Sequence, residues 1–120
     1  MAEHNVLGIK GEALAKEYLE ELGYEIVATN WRKRKFELDL IAINKNEIVF
    51  VEVKTRSTDF FGKLEEAVTH KKQQHLINGA DYYIQLNEID LECRFDVIAI
   101  VLNSNRKELK HIKNAFSPSF

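Results

Sequence analysis

The spacing of hydrophobic and polar residues along the chain predicts two helices. Within residues 6–22, apolar side chains recur every three or four positions, and Gly23 follows as a helix stop. A second helical pattern covers residues 64–86, although Gly79 weakens it slightly. Each helix would present one apolar face that another element has to cover.

Shorter apolar segments predict strands between and after the helices. Residues 36–43 and 48–54 alternate apolar and polar side chains on either side of a turn at residues 44–47. A nearly continuous apolar run within residues 93–102 is typical of a buried strand. The other predicted elements are short: a strand at 24–31, a loop at 59–63 and an edge strand at 108–113.

The order of these elements is αβββαβ, with the edge strand last. That order is typical of an α/β domain in which helices flank a central mixed β-sheet. The chain has 120 residues, near the commonest size for one domain, and 45% of them are hydrophobic. We therefore expect a single domain over residues 1–120, with its core at about 6–113 and a short tail at 114–120.

Composition excludes several classes of protein. A single cysteine, Cys93, rules out an intramolecular disulfide and is expected in the core, and the four histidines lack the spacing of a zinc site. No signal peptide or membrane-spanning run is found, so we expect a cytoplasmic protein with no membrane association. The net charge of −2 does not indicate a nucleic-acid binder, but a local basic patch can act inside a near-neutral total.

The predicted hairpin carries the candidate chemistry. If Ile43 faces Ile48, Asp39 lies opposite Glu52, and Glu37 lies opposite Lys54 in the same way. Facing Cβ atoms across such a pair are about 4.5–5.5 Å apart. A slip by one residue would reverse every face, so the alternation supports this register. A slip by two residues preserves the faces and stays open.

Two carboxylates that face each other across a hairpin repel, so a cation is expected between or beside them. Lys54 on the same face is one candidate, and a bound Mg²⁺ or Mn²⁺, which prefer oxygen ligands, is the other. The alternative is that both strands simply run out of the core into solvent at this point. Asp96, in the buried strand, is expected to brace the sheet or to pair with Arg94.

Further charged residues are candidates for the same site. Glu12 borders the apolar face of the first helix and either points toward the hairpin or lies at the surface. Lys71 lies on the apolar side of the second helix and either reaches the site or extends into solvent. Trp31 either stacks on a base or packs in the core. The candidate nucleic-acid contacts are Arg32, Lys33, Arg34, Lys35, Arg56, Lys71 and Lys72; the alternative for the basic run is solvated surface.

Four segments together resemble one family. They are Gly11-Glu12-Ala13-Leu14-Ala15, Glu37-Leu38-Asp39-Leu40-Ile41-Ala42, Val49-Phe50-Val51-Glu52-Val53-Lys54-Thr55-Arg56 and Arg94-Phe95-Asp96-Val97-Ile98. The chain resembles the bacterial YraN-type family from about Gly8 to Phe116. That family is largely uncharacterised. It is similar to archaeal Holliday-junction resolvases and carries the PD-(D/E)XK nuclease motif on a restriction-endonuclease-like fold.

The resemblance implies roles for individual residues. Asp39 and Glu52 would hold Mg²⁺ or Mn²⁺, with the backbone carbonyl of Val53, and Lys54 would be the motif lysine. Glu12 would match the first-helix glutamate of the resolvase-like members, which gives a catalytic set of Glu12, Asp39, Glu52 and Lys54. One departure is visible, because Phe36 stands where the family usually has glycine.

The function implied is metal-dependent hydrolysis of phosphodiester bonds in DNA, with branched or junction DNA as one substrate class. Two alternatives stay open: a catalytically silent nucleic-acid-binding module on the same fold, and a protein-interaction domain. Resolvase-like relatives act as dimers, so a homodimer is expected by analogy.

Overall fold

The computed structural model describes residues 6–58 and 68–118, in which two helices flank a mixed sheet of five strands. The strands lie in chain order, β1-β2-β3-β4-β5, and only the β3–β4 pair is parallel. This architecture confirms the predicted α/β class with a central mixed sheet. The elements are α1 (Val6–Glu21), β1 (Glu25–Lys33), β2 (Phe36–Asn44), β3 (Glu47–Arg56), α2 (His70–Leu86), β4 (Glu92–Leu102) and β5 (Lys107–Phe116).

The start of the second helix differs from the prediction. The second helix was expected from residue 64, but Val68 and Thr69 precede it and the helix begins at His70. Thr69 is its N-cap, and its hydroxyl oxygen accepts a hydrogen bond of 3.2 Å from the backbone N–H of Lys72. Val68 is buried without being helical, so its hydrophobicity made the helical pattern look longer than the helix. The predicted loop at 59–63 and residues 64–67 lie outside the described residues.

The two faces of the sheet bury separate apolar clusters. On one face, Ala15 and Leu19 of α1 pack with residues such as Val49 and Val51 of β3. On the other face, Leu76 and Ala80 of α2 pack with the intervening residues of the strands, including Ile48, Phe50, Phe95 and Val97. The alternation of β3 between the two clusters is the pattern expected for a sheet covered on both sides. Within residues 6–58 and 68–118, neither helix is long and apolar enough to cross a bilayer.

Helix α1 approaches the sheet closely at Gly11. A Cβ atom added to Gly11 would lie 1.8 Å from the Oγ1 of Thr55, 2.8 Å from its Cβ and 2.9 Å from its Cγ2. The absence of a side chain at Gly11 therefore lets the helix rest directly on β3, one residue beyond Lys54. At its other end, α1 stops at Gly23, which has a φ of +96°, as the sequence predicts.

Gly11→Ala is expected to destabilise the fold by about 2 kcal/mol, although alanine is the better helix former, because the methyl group would push α1 off β3. Urea unfolding would measure the change. Thr55→Gly, introduced together with Gly11→Ala, should recover part of the loss, since it removes all three atoms that the new methyl group meets. A Gly11→Ala protein as stable as the native one would show that the helix does not rest on Thr55.

A buried ionic network joins α1 to β4 and β5. The side chain of Asp96 is 0% exposed and accepts two hydrogen bonds from Arg94, both of 2.9 Å. The Nε2 of His111 lies 2.7 Å from Asp96, and the backbone N–H of Asn114 donates to it at 2.9 Å. The Nδ1 of His111 in turn lies 3.0 Å from the hydroxyl of Tyr18 in α1. Both expectations for Asp96 are therefore met, since it pairs with Arg94 and braces adjacent strands.

The same arginine extends the network to the start of β3. Arg94 donates to the hydroxyl of Tyr24 at 2.6 Å and to the carboxylate of Glu47 at 2.8 Å.

Next to Arg94, Cys93 is exposed rather than in the core, so the prediction that it lies in the core is wrong. The apolar run of β4 becomes buried only from Phe95 onward, and Cys93 lies before that point.

Candidate functional site

The register of the β2–β3 hairpin is the predicted one. Ile43 pairs with Ile48 across a turn of two residues, and the pairing continues to Leu40 and Val51. Beyond Leu40, β2 stays paired with β1, where Glu37 is the partner of Arg32. The ladder between β2 and β3 ends at Leu40 and Val51, so neither Asp39 with Glu52 nor Glu37 with Lys54 forms the ladder pair that the sequence predicts.

Asp39 lies where the strand geometry changes. Leu38 and Ile41, three residues apart, both pack in the cluster beneath α2, whereas Leu40 packs in the cluster beneath α1. The alternation of faces is therefore broken next to Asp39, at the end of the β2–β3 ladder. The Asp39 carboxylate fills this position and accepts a hydrogen bond of 3.0 Å from the backbone N–H of Val53.

Glu52 faces the same side of the sheet and meets Asp39. Its side chain is only 7% exposed, and its carboxyl group lies close enough to that of Asp39 for each to influence the pKa of the other. Two lysines flank it: the Nζ of Lys54 lies 4.0 Å and the Nζ of Lys72 lies 3.9 Å from the same carboxylate oxygen. The structure thus brings Asp39, Glu52 and Lys54 together and adds Lys72 from the first turn of α2.

Burial controls the protonation of the two acids. It raises the pKa of the Glu52 carboxyl group to about 8, with the negative charge of Asp39 as the second cause, against the lowering effect of the two lysines. Burial also raises the pKa of Asp39, although the Val53 hydrogen bond opposes that shift. Both shifts favour a proton held by the acid pair, which relieves the repulsion between the carboxyl groups in the protein without metal.

The space beside the two acids is small. A cavity of about 10 Å³ is lined by both carboxyl groups and by apolar side chains, including Leu38, Phe50 and Leu76. This volume is near the minimum of about 10–15 Å³ that one water molecule occupies. A phosphate group is too large for the cavity, so it would have to approach from the side of Lys54 and Lys72, whose side chains are 31% and 40% exposed.

The donor set fits a magnesium ion that shares its ligands with a substrate. Two carboxylates side by side are the oxygen ligands that Mg²⁺ prefers, and it commonly uses one or two of them with water and phosphate oxygens. In the part of the chain that the structure describes, no group of three or more His, Cys, Asp or Glu side chains is placed to hold a metal ion. The protein side chains would therefore supply two ligands, and the Val53 carbonyl stays a predicted third.

Glu12 occupies a different position from the acid pair. It is half-buried in α1, directly after Gly11, and lines an open groove of about 620 Å³ with Thr29, Asn30 and Arg32 at the β1 edge of the sheet. Leu40, the neighbour of Asp39, lines the same groove. The catalytic role of Glu12 stays a prediction.

The basic residues divide into several environments. Lys71 was a candidate to reach the site, but it is exposed and the adjacent Lys72 approaches Glu52 instead. Because Thr69 is the N-cap, α2 begins at His70, and Lys72 rather than Lys71 faces Glu52. The apolar pattern that began at residue 64 could not give this start. Of the basic run, Arg32 forms an ion pair of 3.1 Å with Glu37. The other candidates, Lys33, Arg34, Lys35 and Arg56, are exposed.

The sequence is similar to bacterial proteins over almost its whole length. It is 49% identical over 118 residues to a UPF0102 protein of Bacteroides thetaiotaomicron, which covers 98% of each chain. It is 47% identical over 116 residues to one of Christiangramia forsetii, covering 97% of this chain and 98% of the relative. For one of Porphyromonas gingivalis the identity is 42% over 118 residues, covering 97% and 87%.

A family model gives the same result. The model described as "Uncharacterised protein family UPF0102" matches residues 11–100, a stretch that contains α1 from Gly11 onward, the hairpin with both acids, and α2. Both comparisons confirm the family that the sequence motifs suggested, while its name assigns no activity. The chain belongs to the uncharacterised protein family UPF0102.

Proposed function

We propose that this protein is a metal-dependent nuclease that hydrolyses phosphodiester bonds in DNA. The observation that carries the proposal is the pair of adjacent carboxyl groups, those of buried Glu52 and half-buried Asp39, beside two lysines. Burying two adjacent acids costs stability, and such pairs with raised pKa values are concentrated at functional sites. The lysines at the open side are placed to meet an anionic substrate.

Asp39 and Glu52 would hold Mg²⁺ or Mn²⁺, together with the Val53 carbonyl. The ion would withdraw charge from a phosphate oxygen and make water more acidic. The Val53 N–H keeps the Asp39 carboxylate oriented toward its partner. Lys54 and Lys72 would stabilise the negative charge that develops on the phosphate during attack. Glu12, on the far side of the sheet, is proposed as a further acid that acts when the substrate is bound.

The test is a panel of DNA substrates that share one sequence: a four-way junction, a flap, a single strand and a duplex. Each is incubated with Mg²⁺, with Mn²⁺ and with a chelator. We expect metal-dependent cleavage, with branched DNA cut faster than duplex. The Asp39→Asn protein, purified in parallel, is the control for contaminating nucleases. Cleavage that is equal in native and Asp39→Asn protein, or absent from every substrate, would refute the proposal.

A catalytically silent nucleic-acid-binding module is the second candidate. It is favoured by the finding that the described residues contain no cluster of three metal-binding side chains. Such a module would bind DNA with a strong salt dependence but would cleave nothing in the panel.

A homodimer is proposed for either function, and sedimentation at several concentrations would test it.

Lys54→Ala is expected to slow cleavage by about 100-fold, because a cation that acts on the developing charge is lost. The affinity for Mg²⁺ should stay within about two-fold of the native value, since Lys54 is not a ligand and its loss removes only a nearby positive charge. Calorimetric titration of Mg²⁺ and single-turnover cleavage rates would separate the two effects. Equal loss of both would give Lys54 a structural role.

The neighbours Lys71 and Lys72 offer a matched pair of variants. Lys72→Met should slow cleavage by about ten-fold, because its ammonium group lies beside Glu52, whereas Lys71→Met should change the rate by less than about two-fold. Both changes remove one charge from the same turn of α2, so the difference reports position and not net charge. The cleavage rate at low ionic strength is the measurement, and similar losses in both variants would contradict the assignment.

A further inference from the structure

Three rings form a row between α2 and the start of β2. The Phe36 ring lies 5.6 Å from the ring of His75 and 5.7 Å from the ring of Tyr82, at interplanar angles of 41° and 34°. All three side chains are half-buried. Each ring therefore packs on one side and reaches solvent on another. We name His75, Phe36 and Tyr82 the ring row.

Positive charge lies along the ring row. The guanidinium of Arg34 lies 5.7 Å from the centre of the Tyr82 ring and donates a hydrogen bond of 3.1 Å to its hydroxyl. The ammonium of Lys35 lies 5.9 Å from the centre of the Phe36 ring. Both cations are exposed and come from the two-residue turn between β1 and β2. The rings and these two cations together form a surface that combines aromatic groups with charges suited to phosphate groups.

The ring row leads to the acid pair. Lys72, His75, Gly79 and Tyr82 lie on one side of α2, and the observed contacts agree: Lys72 meets Glu52, and a Cβ on Gly79 would lie 3.3 Å from the Phe36 ring. At a rise of about 1.5 Å per residue, Tyr82 lies roughly 15 Å along the helix from Lys72. That length corresponds to about four nucleotide steps at the spacing of one B-form strand.

The acidic residue next to Tyr82 in the chain lies on a different side of α2. Asp81, the residue before Tyr82, lies on the side of α2 that faces Cys93, and the two line one groove with Asn78 and Ile84. The surface on the ring-row side is therefore aromatic and basic, which suits a polyanion with planar groups better than an acidic or apolar protein segment.

We infer that the ring row is a stacking platform for the unpaired bases of a nucleic-acid strand, with Arg34, Lys35 and Lys72 along its phosphates. The inference rests on the proposed function and names its substrate class, a nucleic acid with a single-stranded segment next to the cleaved bond. A continuous duplex has no exposed base faces along its length, whereas aromatic side chains stack on unpaired bases of any sequence. Phe36 supplies the central ring of the row.

The first test uses the native protein in a chelator, so that no cleavage interferes. Binding of a short single-stranded DNA is compared with binding of a strand of the same length and charge without bases. We expect at least ten-fold tighter binding of the strand that carries bases. The single tryptophan, Trp31, lies 6.3 Å from the Tyr82 ring and reports occupancy by quenching of its fluorescence. Equal affinity for both strands would overturn the platform, because it would show that binding depends on charge alone.

The second test removes rings and compares variants that keep them. Phe36→Leu and Tyr82→Leu should each weaken binding of the base-carrying strand by about ten-fold, and leave the abasic strand unchanged. Phe36→Tyr and Tyr82→Phe keep the rings and should bind the base-carrying strand within about two-fold of native. Thermal unfolding checks the fold of each variant, and the native-protein test stands if Phe36→Leu does not fold. Equal binding by ring-keeping and ring-removing variants would overturn the inference.

The outcomes separate this inference from the proposed function. Metal-dependent cleavage whose rate does not depend on the bases or on the ring substitutions would refute the platform and retain the nuclease. Base-dependent binding without cleavage would refute the nuclease and retain the platform. A protein that binds no strand in the chelator would refute the platform directly.

Discussion

Asp39→Asn is expected to slow cleavage by at least about 1000-fold while the metal-free protein keeps its stability. The asparagine oxygen can still accept the Val53 hydrogen bond, so the local structure should stay intact. The substitution also removes a half-buried charge beside Glu52, and the free energy of unfolding should stay level or rise by roughly 0.5–1 kcal/mol. The loss in rate reflects the loss of a metal carboxylate, worth several kcal/mol in the transition state.

Adding Mg²⁺ should reverse the order of stability. The native fold gains stability by mass action because only the folded state holds the ion, whereas the variant should gain little. Thermal unfolding of both proteins, with and without Mg²⁺ or Mn²⁺, measures this. Asp39→Ala is the informative companion, since it also removes the acceptor for Val53 and should be less stable than Asp39→Asn. An Asp39→Asn protein that melts far lower without metal, with neither protein responding to the ion, would make Asp39 a structural residue.

The second large effect is expected at Asp96. Asp96→Ala should destabilise the protein by about 3–5 kcal/mol, because Arg94 would lose a fully buried partner. Glu108→Gln is the control: Glu108 forms an exposed ion pair with Arg106 and should cost no more than about 1 kcal/mol. Urea unfolding at neutral pH gives both values. Equal effects at Asp96 and Glu108 would mean that the buried network adds nothing to stability.

The pH dependence gives an independent check on the same residue. Burial alone would raise the pKa of the Asp96 carboxyl group, but hydrogen bonds from His111, Arg94 and the Asn114 backbone hold it below its ordinary value of 3.8. A lowered pKa stabilises the fold above the ordinary value, and this stabilisation is lost as the pH falls through the lowered one. The difference in unfolding free energy between native and Asp96→Asn protein should therefore persist to about pH 4 and shrink below it. A constant difference down to pH 2 would contradict the assignment.

The local patterns in the sequence were sufficient for most of the fold. The register of the hairpin followed from alternation around its turn, because a one-residue slip would have exposed the core faces of both strands. The end of α1 followed from Gly23. Continuing that register by one position predicted Asp39 beside Glu52, and the two acids do meet, although the ladder itself ends at Leu40 and Val51.

The parts that were not predictable depend on contacts distant in sequence. The choice of Lys72 over Lys71 depends on where α2 begins, which a cap residue decides and an extended apolar pattern conceals. The network around Asp96 joins residues from β4, β5 and α1, up to 93 positions apart. The break in alternation beside Asp39 arises because β2 follows β1 after the recorded ladder with β3 has ended, and no local signal marks it.

The parallel pairing of β3 with β4 has a consequence for the order in which the molecule folds. Strands β1, β2 and β3 are antiparallel neighbours joined by turns of two residues, whereas β4 can pair with β3 only after the chain has passed through α2. Local hairpins close in microseconds, and distant pairings form more slowly because a longer loop must be ordered first. Asp39 and Glu52 should therefore meet early, in water, where both can stay charged. Glu52 becomes buried only when α2 docks and brings Lys72 with it, so Lys72 reaches Glu52 in the same step that removes the Glu52 carboxyl group from water.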